Sequence, residues 1–326
     1  MYTFRVTCFA GHKFMEKAKT RKNNLIGVLM LTICAAVWGS SFVAQSTGAR
    51  FVEPFTFISL RSLLGSLSLL PVIALRTKQQ KKDLAAYEKL KAEEKKWLPK
   101  GGLACGVALC IASTLQQFGI DRGTSSGKAG FITALYILLV PIFSVVLKKR
   151  IRPIIWPCAV ASLAGLYLLC VKDSSVQPSD GYVLACAVVY AVHILVIDHI
   201  SPHVDGVKLS CVQFFVAGIL SGIPMLLFED VSPELIKGAA FSLAYSGIMS
   251  SGVAFTLQIL GQQRTEPTIA SMIMSLESVF AMLTGMVVLR EIPTLRETLG
   301  CVLMFAAILV AQLPQRETTP QKDPCI

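Results

Sequence analysis

Apolar positions in this chain gather into long blocks that charge rarely interrupts, and no sheet-like alternation is visible. The blocks run Leu25–Gly48, Phe55–Leu75, Gly101–Ile120, Ala129–Leu147, Pro153–Val171, Gly181–Ile197, Leu209–Phe228, Gly238–Gln263, Thr268–Leu289 and Thr298–Leu313. Each is close to the roughly 20 residues that a helix needs to cross about 30 Å of hydrocarbon. Lipid leaves an unpaired backbone group nowhere to bond, so a spanning segment must be a helix or part of a closed barrel. The missing alternation excludes the barrel. The pattern predicts an all-α polytopic membrane protein with ten transmembrane helices.

Composition agrees. Of the 326 residues 53% are hydrophobic and 16% are charged, and mean hydropathy is +0.61. A soluble domain carries about 25% charged residues. The net charge of +11 does not point to nucleic acid, because the Lys and Arg lie between the apolar blocks, where they set topology. Arg76 to Lys100 holds nine of them, and Lys148, Lys149, Arg150 and Arg152 form a second cluster. With both termini in the cytoplasm, 23 of the 31 Lys and Arg fall inside, seven outside, and Arg61 within the membrane. The first half carries this bias; the second half alone is nearly balanced. Residues 1–23 read as a basic cytoplasmic tail without a signal peptide's apolar stretch, Met15 is an alternative start, and residues 315–326 read as a second cytoplasmic tail. The ten cysteines show no CxxC or Cys/His spacing suited to zinc. No cofactor or metal is expected. The partners expected are the lipid bilayer and a small-molecule substrate, with no nucleic acid, and the chain is expected to act as a monomer or homodimer.

The blocks also repeat. Thr124–Ile151 lies on Thr265–Ile292 without a gap, pairing Ile132-Thr-Ala-Leu135 with Ile273-Met-Ser-Leu276. Trp38 falls on Tyr190, Pro71 and Pro224 close the second and seventh blocks, and Arg61 and Gln213 agree within one residue. The chain reads as two five-helix halves, 24–172 and 180–314. Five is odd, so the second half enters the membrane inverted. Inverted repeats are an architecture of secondary transporters, with substrate near the midplane.

Trp38-Gly-Ser-Ser-Phe42 on the first helix, Gln117-Phe-Gly-Ile120 followed by Thr124-Ser-Ser-Gly-Lys-Ala-Gly-Phe-Ile-Thr-Ala-Leu135 and Pro141, and Ser275-Leu-Glu-Ser278 with Glu291 together resemble the drug/metabolite transporter superfamily, in particular its EamA-type permeases. The resemblance covers about residues 24–314. It implies two EamA repeats and an exporter of amino acids or other metabolites. The Gly-Glu pair common after the fourth helix is here Lys149-Arg150, while Glu291 keeps the equivalent place in the second half.

Ionisable groups inside a bilayer cost about 2.5–3.5 kcal/mol on insertion scales, so each needs a reason. Arg61 shares a small, polar helix face with Gly65 and Ser68. It is a contact for an anionic group or a relay partner, or else a structural arginine that snorkels or caps helix ends. Glu277 sits mid-way along the ninth block. It couples protons or binds an amine, or it pairs structurally, with Arg61 as one possible partner. His193, three residues after Tyr190, is a relay or substrate ligand, or an interior histidine with its bonds met. Trp38 and Ser41 share a face that Gln45 continues, and Tyr136 occupies the repeat position of Glu277. Gln116, Gln117, Gln213 and Gln258 line the pathway or bond neighbouring helices. Lys128 snorkels to the outer interface or gates it.

The expected substrate pathway is therefore Trp38, Ser41, Arg61, Gln117, Tyr136, Tyr190, His193, Gln213, Gln258 and Glu277. The expected mechanism is alternating access, the two halves rocking about a midplane cavity with possible proton coupling. No GxxxxGK[ST] loop is present, which disfavours ATP hydrolysis. The rivals are a channel, which would need a repeated pore lining, and a membrane-embedded enzyme, for which no compact catalytic spacing exists.

Overall fold

Where the apolar blocks stand, the chain is helical. The computed structural model describes residues 3–124, 126–171, 177–289 and 294–313; Glu291 and the tail 315–326 lie outside them. No strand occurs among the described residues. The first three blocks lie in α1 (Thr3–Gly48), α2 (Pro54–Gln80) and α3 (Leu84–Asp121). The fourth is split between α4 (Ser126–Thr133) and α5 (Tyr136–Val146), and the fifth is α6 (Ile155–Cys170). The second half repeats the order: α7 (Asp180–Ile200), α8 (Gly206–Phe228), a short loop helix α9 (Pro233–Gly238), then α10 (Ala240–Ala244) and α11 (Phe255–Gln262) as the two ends of the eighth block. The ninth block is split between α12 (Pro267–Met274) and α13 (Glu277–Leu289), and the tenth is α14 (Leu295–Ala311). Eight stretches are long and apolar enough to cross a membrane. The other two, α6 and α14, have 16 and 17 residues, about 24–26 Å of helix.

Burial is that of a protein in lipid. Leu226, Phe228, Phe241 and Val287 are each more than two-thirds exposed, whereas Arg61, Glu277, His193 and Gln213 are buried.

Three departures from the sequence pattern matter. The basic connection Arg76–Lys100 is helical through most of its length: α2 runs on to Gln80, and α3 starts at Leu84 behind Asp83, whose side chain accepts from the Ala86 N–H at 3.2 Å. Ala, Lys and Glu, all good helix formers, dominate that segment. The fourth and ninth blocks are each broken, at Ala134-Leu135 and at Ser275-Leu276. These breaks are repeat-mates, 141 residues apart, so one local sequence signal produces the same discontinuity twice. The middle of the eighth block, Tyr245–Ala254, winds with the wide turns of a π-helix, while its counterpart in α3 is regular.

The repeat is visible in the packing. α1 packs on α11 and α13 as α7 packs on α3 and α5, and α2 against α8 and α6 against α14 are self-matched pairs. At the last of these, an added Cβ on Gly165 would meet Gly300 O at 2.6 Å and Met304 Cγ at 2.8 Å, and one on Gly300 would meet Gly165 O at 2.5 Å and Leu169 N at 3.0 Å. Residue 165 is to 300 as 169 is to 304, so the contact is isologous, as across a two-fold axis. The two small-residue faces are used within the chain. Gly102 and Gly106 receive Val212 and Val216, and Gly218 and Gly222 receive Leu63 and Ser59.

These contacts revise the picture of two sequence halves rocking. The halves interlock. The spatial bodies are a bundle of α1 with α10–α13 and a bundle of α3–α5 with α7, each drawn from both halves.

Candidate functional site

A small, partly open cavity of about 50 Å³ lies between the two bundles. One bundle supplies Trp38 and Gln45 from α1, Ser250 from the wide-turn stretch, Phe255 and Gln258 from α11, Met274 from α12 and Glu277 from α13. The other supplies Gln116 from α3, Thr133 from α4, Tyr136 from α5, and Tyr190 and Ile194 from α7; Arg61 enters from α2.

The helix breaks explain how Tyr136 and Glu277 reach it. Each is the first residue of the helix that resumes after its break, so each side chain leaves a helix N-terminus at mid-depth. Tyr136 Oη donates to Glu277 Oε1 at 3.4 Å. Gly39 lets α1 approach this point, because an added Cβ would overlap the Glu277 carbonyl and sit 2.7 Å from Ala281 N.

Arg61 is not paired with Glu277. Its Nη1 donates to Gln45 Oε1 at 3.2 Å, its Cζ lies 5.7 Å from the Phe57 ring centre, and its Nε is buried without a partner. Trp38 Nε1 and Gln258 Oε1 are in the same state. Trp38 leans on Phe255 with ring centres 4.6 Å apart. On the facing wall Gln116 Nε2 donates to Thr133 Oγ1 at 3.1 Å, and Tyr190 shares a 3.4 Å bond with Ser113. The cavity thus presents aromatic faces, two unspent N–H donors, one unspent carbonyl acceptor and a carboxyl. An unmet buried polar atom costs about 1–3 kcal/mol. Among the described residues no group of three His, Cys, Asp or Glu side chains converges as a metal site would require.

The architecture, two matched sets of helices around a central crevice, invites comparison with known proteins. The model of the EamA-like transporter family matches twice, over residues 25–171 and 177–312. The chain belongs to the EamA-like transporter family. An uncharacterized transporter of Archaeoglobus fulgidus is similar to it at 29% identity over 288 residues, 87% of this chain and 85% of that protein. The uncharacterized transporter YwfM of Bacillus subtilis is 24% identical over 305 residues, covering 92% and 98%. A crystal structure superposes with a TM-score of 0.71 over 88% of this chain and 96% of that one, at 21% identity, a likeness of fold. The chain is a multi-pass membrane transporter of the EamA type.

In this EamA transporter, six of the ten residues expected on the pathway line the cavity: Trp38, Arg61, Tyr136, Tyr190, Gln258 and Glu277. The other four are buried behind its wall. His193 Nε2 and Gln213 Oε1 bond each other at 3.1 Å, tying α7 to α8. Ser41 and Gln117 are buried and take no part in the cavity lining, where Gln116 stands instead of its neighbour. Gln45, Gln116, Thr133, Ile194, Ser250, Phe255 and Met274 complete the wall. Gln45 was legible as the continuation of the Trp38 face. Ser250 was not, since it depends on the wide turns of the eighth block. Lys128, expected at an interface, ion-pairs with Asp180 at 2.5 Å, beside a 2.8 Å bond from Thr124 Oγ1 to Ser179 Oγ.

Proposed function

We infer that the chain is a secondary transporter that passes a small organic metabolite, amino acid or drug across the cytoplasmic membrane by alternating access, acting as an exporter. It crosses the bilayer ten times with both termini in the cytoplasm, as a monomer or homodimer. The supporting observation is the cavity between the bundles, where Arg61 Nε, Trp38 Nε1 and Gln258 Oε1 are buried and unpartnered. A guest with an anionic oxygen satisfies Arg61 and Trp38. A donor group on the same guest satisfies Gln258 and reaches Glu277. The aromatic rings cover its apolar body, as small-molecule sites commonly do. Glu277 is the group that exchanges a proton for the substrate. His193 and Gln213 brace the wall from behind, together with Ser41 and Gln117.

The test has two stages. Purified protein is screened for compounds that raise its thermal midpoint, since a ligand of the folded state stabilises it by mass action. The hits are then followed in proteoliposomes for saturable uptake with counterflow. Flux that neither saturates nor shows counterflow would make the protein a pore and end the carrier reading.

A further inference from the structure

The two bundles are not joined equally at their two ends. At one end Gln262 Nε2 donates to the Ile194 carbonyl at 3.1 Å, and Gln263 Nε2 donates to the carbonyls of Ser201 at 2.6 Å and Val204 at 3.4 Å. These bonds cross from α11 and its exit to α7 and its exit, from one bundle to the other. By the repeat, Gln263 corresponds to Arg122, and Ser201 and Val204 correspond to Ala49 and Val52. At that opposite end Arg122 makes no hydrogen bond to Ala49 or Val52. Arg122 is exposed and turned onto its own bundle, stacked 4.8 Å from the Tyr182 ring centre and 5.1 Å from that of Phe118, and bonded to the Tyr182 hydroxyl.

We propose that Gln263, supported by Gln262, is a latch that holds one end of the cavity shut, and that Arg122 is its counterpart, which closes the other end on the carbonyls of Ala49 and Val52 in the opposite conformation. This rests on the alternating-access reading. Two interlocked repeats related by a two-fold axis exchange roles when the transporter turns over, so contacts at one end specify the contacts to come at the other. Arg122 carries suitable donors, because a guanidinium offers five N–H groups to carbonyl oxygens. Its present partners are surface rings, whose release costs little because water replaces them. Gln263 is neutral, so its end opens without separating charges. With the Lys/Arg-rich side in the cytoplasm, the end latched here is the cytoplasmic one.

The test is disulfide trapping in the full chain, reconstituted in liposomes, with cross-linked peptides identified by mass spectrometry. Gln263→Cys with Ser201→Cys reports the present latch, and Arg122→Cys with Ala49→Cys reports its counterpart. Each pair is expected to oxidise alone. In the protein carrying all four substitutions, a single molecule is expected to hold one cross-link or the other. Both cross-links in one molecule would overturn the proposal, as would an Arg122/Ala49 pair that never forms while the Gln263/Ser201 pair does. Trapping is read without any substrate. A chain that traps as expected yet carries nothing keeps the latch and loses the transport reading, whereas normal flux through a doubly cross-linked chain does the reverse. If the cysteine variants do not fold, Gln263→Ala serves. Amide exchange is expected to rise at Ser201–Val204 and fall at Ala49–Val52, and unchanged exchange at both ends would reject the latch.

Discussion

Tyr136 and Glu277 are repeat-mates, and they touch: the hydroxyl of one lies 3.4 Å from the carboxyl of the other at the centre of the cavity. Each begins the helix that follows a break, so the pseudo-two-fold axis passes close to their contact. A position that is tyrosine in one half and glutamate in the other makes the two halves chemically unequal at the axis. Glu277→Gln keeps shape and hydrogen bonding but loses the titrating group. It is expected to abolish proton-coupled transport while leaving the thermal midpoint nearly unchanged; full coupled uptake by this variant in proteoliposomes would remove Glu277 from the mechanism. Tyr136→Phe removes one long bond, worth about 0.5–1.5 kcal/mol, and is expected to slow transport by roughly two- to tenfold.

Arg61 separates charge from geometry. Its Nη1 is spent on Gln45, while Nε is buried without a partner. Arg61→Lys keeps the charge and loses the planar fork. Ligand affinity is expected to fall about 10- to 100-fold in both Arg61→Lys and Arg61→Gln, the loss of one charge-assisted bond of about 1.5–3 kcal/mol. Titration of a stabilising compound against the three proteins checks this; full affinity in the lysine variant would show that charge alone suffices.

The helices and the repeat were legible because hydrocarbon sorts residues so sharply: an uncharged block of about 20 residues has few other uses. Pathway residues were less so. Trp38 and Glu277 stood out by chemistry and position, but His193 and Gln213 have the same chemistry and bond each other outside the cavity lining, while His193 Nδ1 and Gln213 Nε2 stay buried without a partner. Gln116 and Gln117 are adjacent, and only the rotation of α3 against its neighbours decides which faces the cavity. The interlocking of the halves was not legible at all, because it depends on which helix packs on which rather than on any one helix.

Glycines at the crossings make a graded set. Gly39→Ala forces a Cβ into the backbone of α13 beside Trp38 and Glu277, and Gly165→Ala forces one onto Gly300 O at 2.6 Å. Both meet backbone, which cannot swing aside. Gly181, in the first turn of α7, has nothing within 4 Å of an added Cβ. Gly181→Ala is expected to be neutral or to stabilise by up to about 1 kcal/mol, and the other two to lower the thermal midpoint clearly. Equal midpoints for all three would contradict this packing.

Lys148 has φ of 59° at the end of α5, left-handed backbone that favours glycine. Its N–H bonds Val145 O at 2.8 Å, and the next N–H bonds Ser144 O at 2.9 Å, closing the helix end. Lys148→Gly is expected to stabilise the protein by about 1 kcal/mol. A lower midpoint would show that the lysine side chain contributes more than its backbone costs.

Asp205 concentrates more bonds than any residue on the pathway. Its Oδ2 accepts from Arg76 Nε at 3.1 Å, Arg76 Nη2 at 3.0 Å and Gln80 Nε2 at 2.7 Å, while Oδ1 accepts from the Val207 N–H at 2.8 Å and caps α8. Its own N–H donates to Glu94 Oε1 at 3.0 Å, and Glu94 in turn holds Lys208 at 2.6 Å. Asp205 is 2% exposed in its side chain but Arg76 is 41% exposed, so water takes up part of the loss when the pair is broken. Asp205→Ala is therefore expected to cost about 2–3 kcal/mol, below the 3–5 of a fully buried pair. Asp205→Asn keeps an oxygen for the cap and is expected to cost less. Thermal midpoints in detergent measure both, and an alanine variant as stable as the parent would mean that the clasp joining α2, α3 and α8 does not hold the fold.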